Sequence, residues 1–122
     1  MPASGSSLIH PHLQVFATAT APNQLRRELQ ASAAYWQAHR RTYWDDLVTA
    51  EKEDGRRFLG EIGRVAWLAA YAPFGVAGDV VGVVRECRST LQLSATDVAD
   101  IARGLTRAMA SYDAMGLYNF NV

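Results

Sequence analysis

The sequence predicts an α+β domain, in which helices pack on an antiparallel sheet. Two segments repeat apolar residues at helical spacing, one between Pro22 and Gly55 and the other after Ser94. The chain between them changes to short runs of β-compatible residues separated by glycine and proline. This change of period from helix to strand and back indicates an antiparallel meander flanked by helices.

Composition narrows the class of protein. The chain has 122 residues, of which 49% are hydrophobic, and this suits one globular domain over residues 1–122. Twelve basic and twelve acidic residues give a formal net charge of zero, which argues against nucleic-acid binding through phosphate contacts. The sequence shows neither a basic leader pattern nor an apolar run of membrane-spanning length. We therefore expect a soluble, cytoplasmic protein that binds neither nucleic acid nor membrane.

The first helical region begins at Pro22, because proline is well tolerated in the first turn of a helix. Apolar residues then recur at helical spacing as far as Leu47, interrupted by a polar cluster at residues 39–41. The pattern predicts one long helix, or two helices with a break near Thr42. Either arrangement ends before Gly55.

The aromatic residues of this region, Trp36, Tyr43 and Trp44, allow two interpretations. They could form a platform on which nucleobases stack, or they could pack against neighbouring elements, and their helical spacing favours packing. His39 lies beside two arginines and could bind phosphate. A solvated helix face is the simpler interpretation of this charged cluster.

Three short β-compatible runs follow, at residues 58–62, 65–72 and 80–85. Glycine and proline separate them, as expected of an antiparallel meander. The glycine-containing run at residues 75–78 lacks the strand–loop–helix context and the downstream lysine of a phosphate-binding loop. We therefore interpret it as a turn between strands.

The last helix begins after Ser94, where Ser94 and Asp97 have the spacing of a capping box. One apolar stripe follows and is expected to pack on the sheet. The stripe comprises Val98, Ile101, Leu105, Met109 and Tyr112. Gly116 ends the helix, and residues 117–122 are predicted to form a last strand.

Two further groups receive structural interpretations. Cys87 is the single cysteine, so no internal disulfide is possible, and a buried structural thiol is its predicted role. The acidic residues at 45–46 and 51–54 could be paired catalytic carboxylates. Because they lie on a polar helix end, they are predicted to face solvent instead.

The run at residues 7–16 concentrates reactive groups. If it is extended, His10, His12 and Gln14 share one face of the strand, because side chains alternate along it. A neutral imidazole can accept a phosphoryl-type group as a covalent intermediate, and the Gln14 amide and the Ser7 hydroxyl can donate to its oxygens. Pro11 restricts the backbone between the histidines. From spacing alone, the pair could as well be half of a metal site as a nucleophile, and the absence of any role is the commonest case for such a pair.

A family resemblance favours a nucleophilic histidine over these two alternatives. Residues 5–14 resemble the H-P-H-x-Q active-site motif of the galactose-1-phosphate uridylyltransferase family, a branch of the histidine-triad superfamily that also contains ADP-glucose phosphorylases. The likeness continues through Pro22-Asn23, Arg26-Arg27-Glu28, residues 67–74, the helix after Ser94 and Ser111-Tyr112-Asp113. It covers nearly the whole chain. The resemblance implies a histidine-triad-like half-domain, in which residues 5–17 form the active-site motif strand.

The resemblance implies an enzyme of carbohydrate and galactose metabolism, of the UDP-glucose:hexose-1-phosphate uridylyltransferase type. Such an enzyme moves a nucleoside monophosphate between a nucleoside-diphosphate sugar and a sugar 1-phosphate. His12 would be the nucleophile and form a nucleotidyl-histidine intermediate, while Gln14 and Ser7 would contact the phosphoryl group. His10 matches a zinc ligand of zinc-containing members. Glu28 matches a carboxylate that binds a second, structural metal in some members.

The resemblance also implies what this sequence lacks. The family's other zinc ligands, a Cys-x-x-Cys pair and a histidine, precede the motif, and the histidines that would join Glu28 lie beyond Val122. Family members are more than twice as long and contain two similar half-domains, so we expect a fragment or split product, mainly the second half. The implied partners are a nucleotide sugar, a sugar 1-phosphate, and a second copy of the chain or a first-half polypeptide. The alternative is a non-catalytic fragment or binding subunit that retains the motif.

Overall fold

A computed structural model of the chain describes residues 17–74 and 78–117. The predicted α+β class is confirmed, because helices flank an antiparallel sheet. The elements are α1 (Asn23–His39), α2 (Tyr43–Asp54), β1 (Phe58–Ile62), β2 (Val65–Ala69), β3 (Val80–Val84), a 3-10 turn (Thr90–Gln92) and α3 (Ala95–Ala114). The predicted motif strand at residues 5–17, the predicted turn at residues 75–78 and the predicted last strand at residues 117–122 lie wholly or mostly outside the described residues.

The break near Thr42 is confirmed, and the two-helix alternative is the correct one. Arg40 ends α1 in the left-handed region, with a φ of 57°, and its N–H donates to the Trp36 carbonyl at 2.9 Å. Thr42 then caps α2, because its hydroxyl oxygen accepts a hydrogen bond from the Asp45 N–H at 3.1 Å. Gly55 ends α2 with a φ of 74°.

β2 is the central strand of the described sheet and pairs antiparallel with β1 and β3. Gly63, with a φ of 57°, lies in the tight turn from β1 to β2. β2 ends at Ala69 rather than at residue 72, and β3 ends at Val84 rather than at residue 85. The Ala70 N–H still donates to the Asp79 carbonyl at 2.8 Å, and the chain then bends away from β3 at residues 71–72.

The two faces of β2 pack against two helices. Ala66 and Leu68 form a buried cluster with Val48 of α2 and Val83 of β3. Because side chains alternate along a strand, Trp67 points to the opposite face, where α3 packs. The sheet therefore forms the middle layer between α2 and α3.

The capping box that starts α3 is confirmed. Ser94 Oγ accepts a hydrogen bond from the Asp97 N–H at 3.1 Å, and the Asp97 carboxylate accepts one from the Ser94 N–H at 2.7 Å. Arg64, beside the β1–β2 turn, donates to both Asp97 oxygens at 2.7 and 2.8 Å. The same guanidinium donates to the carbonyls of Arg85 and Gln92. We call this set of contacts the Arg64 clamp.

The predicted apolar stripe of α3 is wrong at two of its positions. Val98 is 55% exposed and Met109 is 43% exposed, so neither packs on the sheet. The residues of α3 that are buried are Asp97, Asp100 and Gly104. A Cβ atom at Gly104 would lie 1.9 Å from the Trp67 indole, so only glycine lets the ring reach the helix backbone. The bulk of Trp67 thus decides which face of α3 meets the sheet.

The predicted burial of Cys87 is also wrong, because the residue is only half-buried. Its Sγ lies 3.2 Å from the Ser89 carbonyl and donates a weak hydrogen bond to it. Glu86 has a φ of 57°, so the chain turns away from the sheet just before the cysteine. The thiol therefore lies in a loop after β3 rather than in the core.

In the two described ranges, no helix combines the length and the apolar character that crossing a membrane requires.

The Trp67–Gly104 contact predicts that the effect of Gly104→Ala on the free energy of unfolding changes sign when Trp67 is replaced. Gly104→Ala should lower the free energy of unfolding by about 1–3 kcal/mol, because the new methyl group overlaps the indole. In a Trp67→Leu background the overlap is removed, and the same substitution should stabilise the protein by up to about 1 kcal/mol through helix propensity. Urea unfolding of the four proteins measures both effects. Stabilisation by Gly104→Ala in the presence of Trp67 would contradict this packing.

Candidate functional site

Four of the five predicted site residues, Ser7, His10, His12 and Gln14, lie outside the described residues. Their roles therefore stay predictions. The fifth, Glu28, lies on an exposed face of α1, where its Oε1 accepts a hydrogen bond from Gln24 Nε2 at 3.1 Å. Gln24 precedes it by one helical turn, as is typical of a surface pair.

The surroundings of Glu28 do not complete a metal site. Nowhere in residues 17–74 and 78–117 do three histidine, cysteine, aspartate or glutamate side chains come together to hold an ion. Tetrahedral structural zinc takes four such ligands. The described residues by themselves thus do not fit either metal that the family resemblance implies, and no chemical step is assigned to a metal.

The acidic residues of α2 are less exposed than predicted. Glu51 is only 5% exposed and its Oε1 accepts a hydrogen bond from Arg57 Nε at 2.9 Å. It lies on the same side of α2 as the buried Val48, and the arginine that follows the helix compensates its charge. Asp46 accepts a hydrogen bond from the Tyr35 hydroxyl at 2.9 Å, which raises the pKa of Tyr35. The prediction that these carboxylates face solvent is therefore wrong for Glu51.

The aromatic residues pack with their neighbours at the junction of α1 and α2. The Tyr43 ring lies 5.6 Å from Tyr35 and 5.3 Å from Trp44, both edge to face. The Arg88 guanidinium lies over Trp36, 4.0 Å from the ring centroid. His39 is exposed and its ring lies 4.3 Å from Tyr35, which confirms the prediction of a solvated helix face.

A cavity of about 470 Å³ lies between the second half of α3 and the sheet. Its size falls within the range of small-molecule sites, roughly 300–1,000 Å³. Most of the lining side chains are apolar or aromatic; they include Leu59, Ile62, Trp67, Val80, Ala108 and Met115. The exposure of Leu59 is 58% and that of Met115 is 60%, so apolar surface of the cavity lining continues out to solvent. We call this space the α3 cavity.

Three charged side chains also line the α3 cavity, and two of them have partners. Asp79 Oδ2 accepts a hydrogen bond from the Phe74 N–H at 2.6 Å, and Glu61 Oε1 lies 3.0 Å from Lys52 Nζ. Arg107 is exposed, and no carboxylate in the described part of the chain forms an ion pair with it. The α3 cavity thus combines an apolar interior with one cation, Arg107, and one anion, Asp79, that form no ion pair within the described part of the chain.

Sequence reasoning missed the α3 cavity. One signal was present, since Gly104 stands inside a helix, where glycine costs about 1 kcal/mol relative to alanine. Glycine at such a position lets another group approach the helix backbone closely, and here that group is the Trp67 indole. The empty space beside that contact depends on distant residues and leaves no local pattern.

Comparison with curated proteins finds relatives that match almost the whole chain, among them the following two. The chain is 30% identical over 118 residues to an uncharacterized protein of Archaeoglobus fulgidus, covering 97% of this chain and 35% of that protein. It is 28% identical over 123 residues to a galactose-1-phosphate uridylyltransferase of Neurospora crassa, covering 97% of this chain and 30% of the enzyme. No family model matches the chain. No solved structure matches it.

The match to the Neurospora crassa enzyme supports a distant relation to a uridylyltransferase. The chain spans about a third of the length of the curated relatives it matches, at 35% and 30%. The comparisons therefore support a relation to part of a transferase.

The isolated chain should purify without stoichiometric zinc, because a four-coordinate site needs more ligands than one histidine or one glutamate, and no group of three ligating side chains lies within residues 17–74 and 78–117. Elemental analysis of the purified protein measures this directly. Glu28→Gln should leave the metal content unchanged, as should the matched control Glu53→Gln at an exposed position of α2. One full equivalent of zinc, reduced in Glu28→Gln alone, would show that Glu28 is a ligand in this chain.

Proposed function

We propose that this chain is the motif-bearing part of a nucleotidyltransferase of the hexose-1-phosphate uridylyltransferase type. One observation carries the proposal: the H-P-H-x-Q motif at residues 10–14 lies in a chain that aligns over 97% of its length with the Neurospora crassa enzyme. Because nearly the whole chain aligns with that enzyme, common descent explains the short motif better than chance does. The substrates are a nucleoside-diphosphate sugar and a sugar 1-phosphate.

The proposed chemistry is a double displacement. His12 attacks the phosphorus next to the nucleoside, a P–N bond forms, and the P–O bond to the departing sugar 1-phosphate breaks. A phosphate oxygen of a second sugar 1-phosphate then attacks the same phosphorus, and the P–N bond breaks to regenerate His12. Gln14 and Ser7 donate hydrogen bonds to the non-bridging oxygens, whose negative charge must be stabilised in both steps.

Positioning the base and the ribose requires more groups than the motif supplies. We propose that a second copy of this chain or a first-half polypeptide provides them, since the chain spans about a third of its curated relatives, at 35% and 30%. The same coverage favours a second candidate function. In that alternative the chain is a non-catalytic binding subunit that retains the motif.

The decisive experiment looks for the covalent intermediate. The purified chain, alone or with a complementing first-half polypeptide, is incubated with UDP-glucose labelled at the phosphorus next to uridine, and the label that remains on denatured protein is measured before and after acid treatment. We expect an acid-labile adduct on the wild-type chain, none on His12→Ala, and more on His10→Ala than on His12→Ala. His39→Ala is the matched control, because it removes the third histidine from an exposed position of α1.

Two results would contradict the proposal. Equal labelling of His12→Ala and wild type would show that His12 is not the nucleophile. A folded wild-type chain that acquires no label, yet binds UDP-glucose in equilibrium dialysis, would favour the binding subunit.

A further inference from the structure

We propose that the α3 cavity binds a small molecule with an apolar body and a single negative charge, of the aryl or alkyl carboxylate class, and that Arg107 contacts the anionic group. This inference rests on the described residues alone. It does not depend on the proposed transfer reaction.

The volume and lining of the cavity define the body of the ligand. A space of about 470 Å³ exceeds what a few waters need and is large enough for a molecule of two fused or linked rings. The Trp67 indole on one wall is 7% exposed and offers an aromatic surface, and Ile62 and Ala108 add aliphatic surface. Such walls favour an apolar body, because removing apolar surface from water stabilises the complex.

The charges define the polar group. Arg107 lines the cavity without an ion-pair partner among the described residues, whereas Glu61 is compensated by Lys52 at 3.0 Å. An unpaired guanidinium matches a carboxylate, which can accept two hydrogen bonds from it. Asp79 and Glu61 lie on the same lining, so a dianion would meet more repulsion than a monoanion. The arrangement therefore favours a single charge over a phosphate monoester.

Access to the cavity is compatible with an exchangeable ligand. Leu59 and Met115, which both line the cavity, are 58% and 60% exposed. A ligand that covers these side chains removes their apolar surface from water. Exposed apolar surface that continues into a cavity is typical of binding sites rather than of unused protein surface.

The test compares two fluorescent probes that share a body and differ in charge. 1-Anilinonaphthalene-8-sulfonate carries one negative charge, and N-phenyl-1-naphthylamine has the same rings without it. We expect both to bind one site per chain, with energy transfer from Trp67 that is reduced in Trp67→Phe. Decanoate should displace both probes, because it combines an apolar chain with a carboxylate.

Variants separate the charge from the cavity. Arg107→Gln should lower the affinity for the sulfonate probe by about fivefold, as expected for one exposed charge contact. The affinity for the neutral probe should change by no more than about twofold. Arg27→Gln is the matched control, because it removes the same charge from an exposed position of α1 and should change neither affinity. Ala108→Phe should abolish saturable binding of both probes by filling the space. Ala108→Met, with a more flexible side chain, should weaken both.

Three outcomes would overturn the proposal. Equal effects of Arg107→Gln and Arg27→Gln would show that the sulfonate probe responds only to net charge. Unchanged binding in folded Ala108→Phe or Ala108→Met would place the probes elsewhere. Equal weakening of both probes by Arg107→Gln would remove the role of the guanidinium in recognising the anion, and this comparison stands even if Ala108→Phe fails to fold.

Discussion

The ion pair between Arg64 and Asp97 holds the sheet and α3 in one arrangement. Asp97 is only 4% exposed, and both of its oxygens accept hydrogen bonds from the guanidinium, at 2.7 and 2.8 Å. Arg64 also donates to the carbonyls of Arg85 and Gln92, so it joins the β1–β2 turn to the end of β3 and to the 3-10 turn. Loss of either charge would leave its partner half-buried or buried without compensation, which is costly in proteins. The clamp therefore fixes where α3 begins.

The second constraint on α3 acts further along the helix, where the helix packs on the sheet. With its first turn fixed by Asp97, α3 meets Trp67 at Gly104, where a Cβ atom would lie 1.9 Å from the ring. The indole separates the helix from the sheet beyond this contact, and the α3 cavity occupies the space that results. Two contacts thus explain both the position of the helix and the presence of a binding-sized space beneath it.

The sequence was most informative where structure depends on local chemistry. The capping box at Ser94 and the helix break near Thr42 each involve residues within one turn of one another, and both were predicted. The packed face of α3 was predicted incorrectly because it depends on Trp67, which is distant in sequence. Glu51 was expected to face solvent because it lies on a polar helix end, and that local pattern does not include its compensating partner Arg57, which lies beyond the end of the helix. The candidate catalytic residues were predicted from a motif and a family resemblance. The α3 cavity was not predicted, because the empty space depends on residues that are distant in sequence.

The central claim, that the Arg64–Asp97 pair stabilises the fold, is tested most directly by the pH dependence of unfolding. Hydrogen bonds from Arg64 and Ser94 lower the pKa of Asp97 in the folded protein, so its stabilisation is complete above about pH 4 and is lost as pH falls further. Urea unfolding between pH 7 and pH 2 should therefore show that the free energy of unfolding of wild type exceeds that of Asp97→Asn most at neutral pH. The difference between the two free energies should shrink below about pH 4. Glu53→Gln, at an exposed position, should follow wild type throughout. A constant difference between wild type and Asp97→Asn over the whole range would contradict the claim.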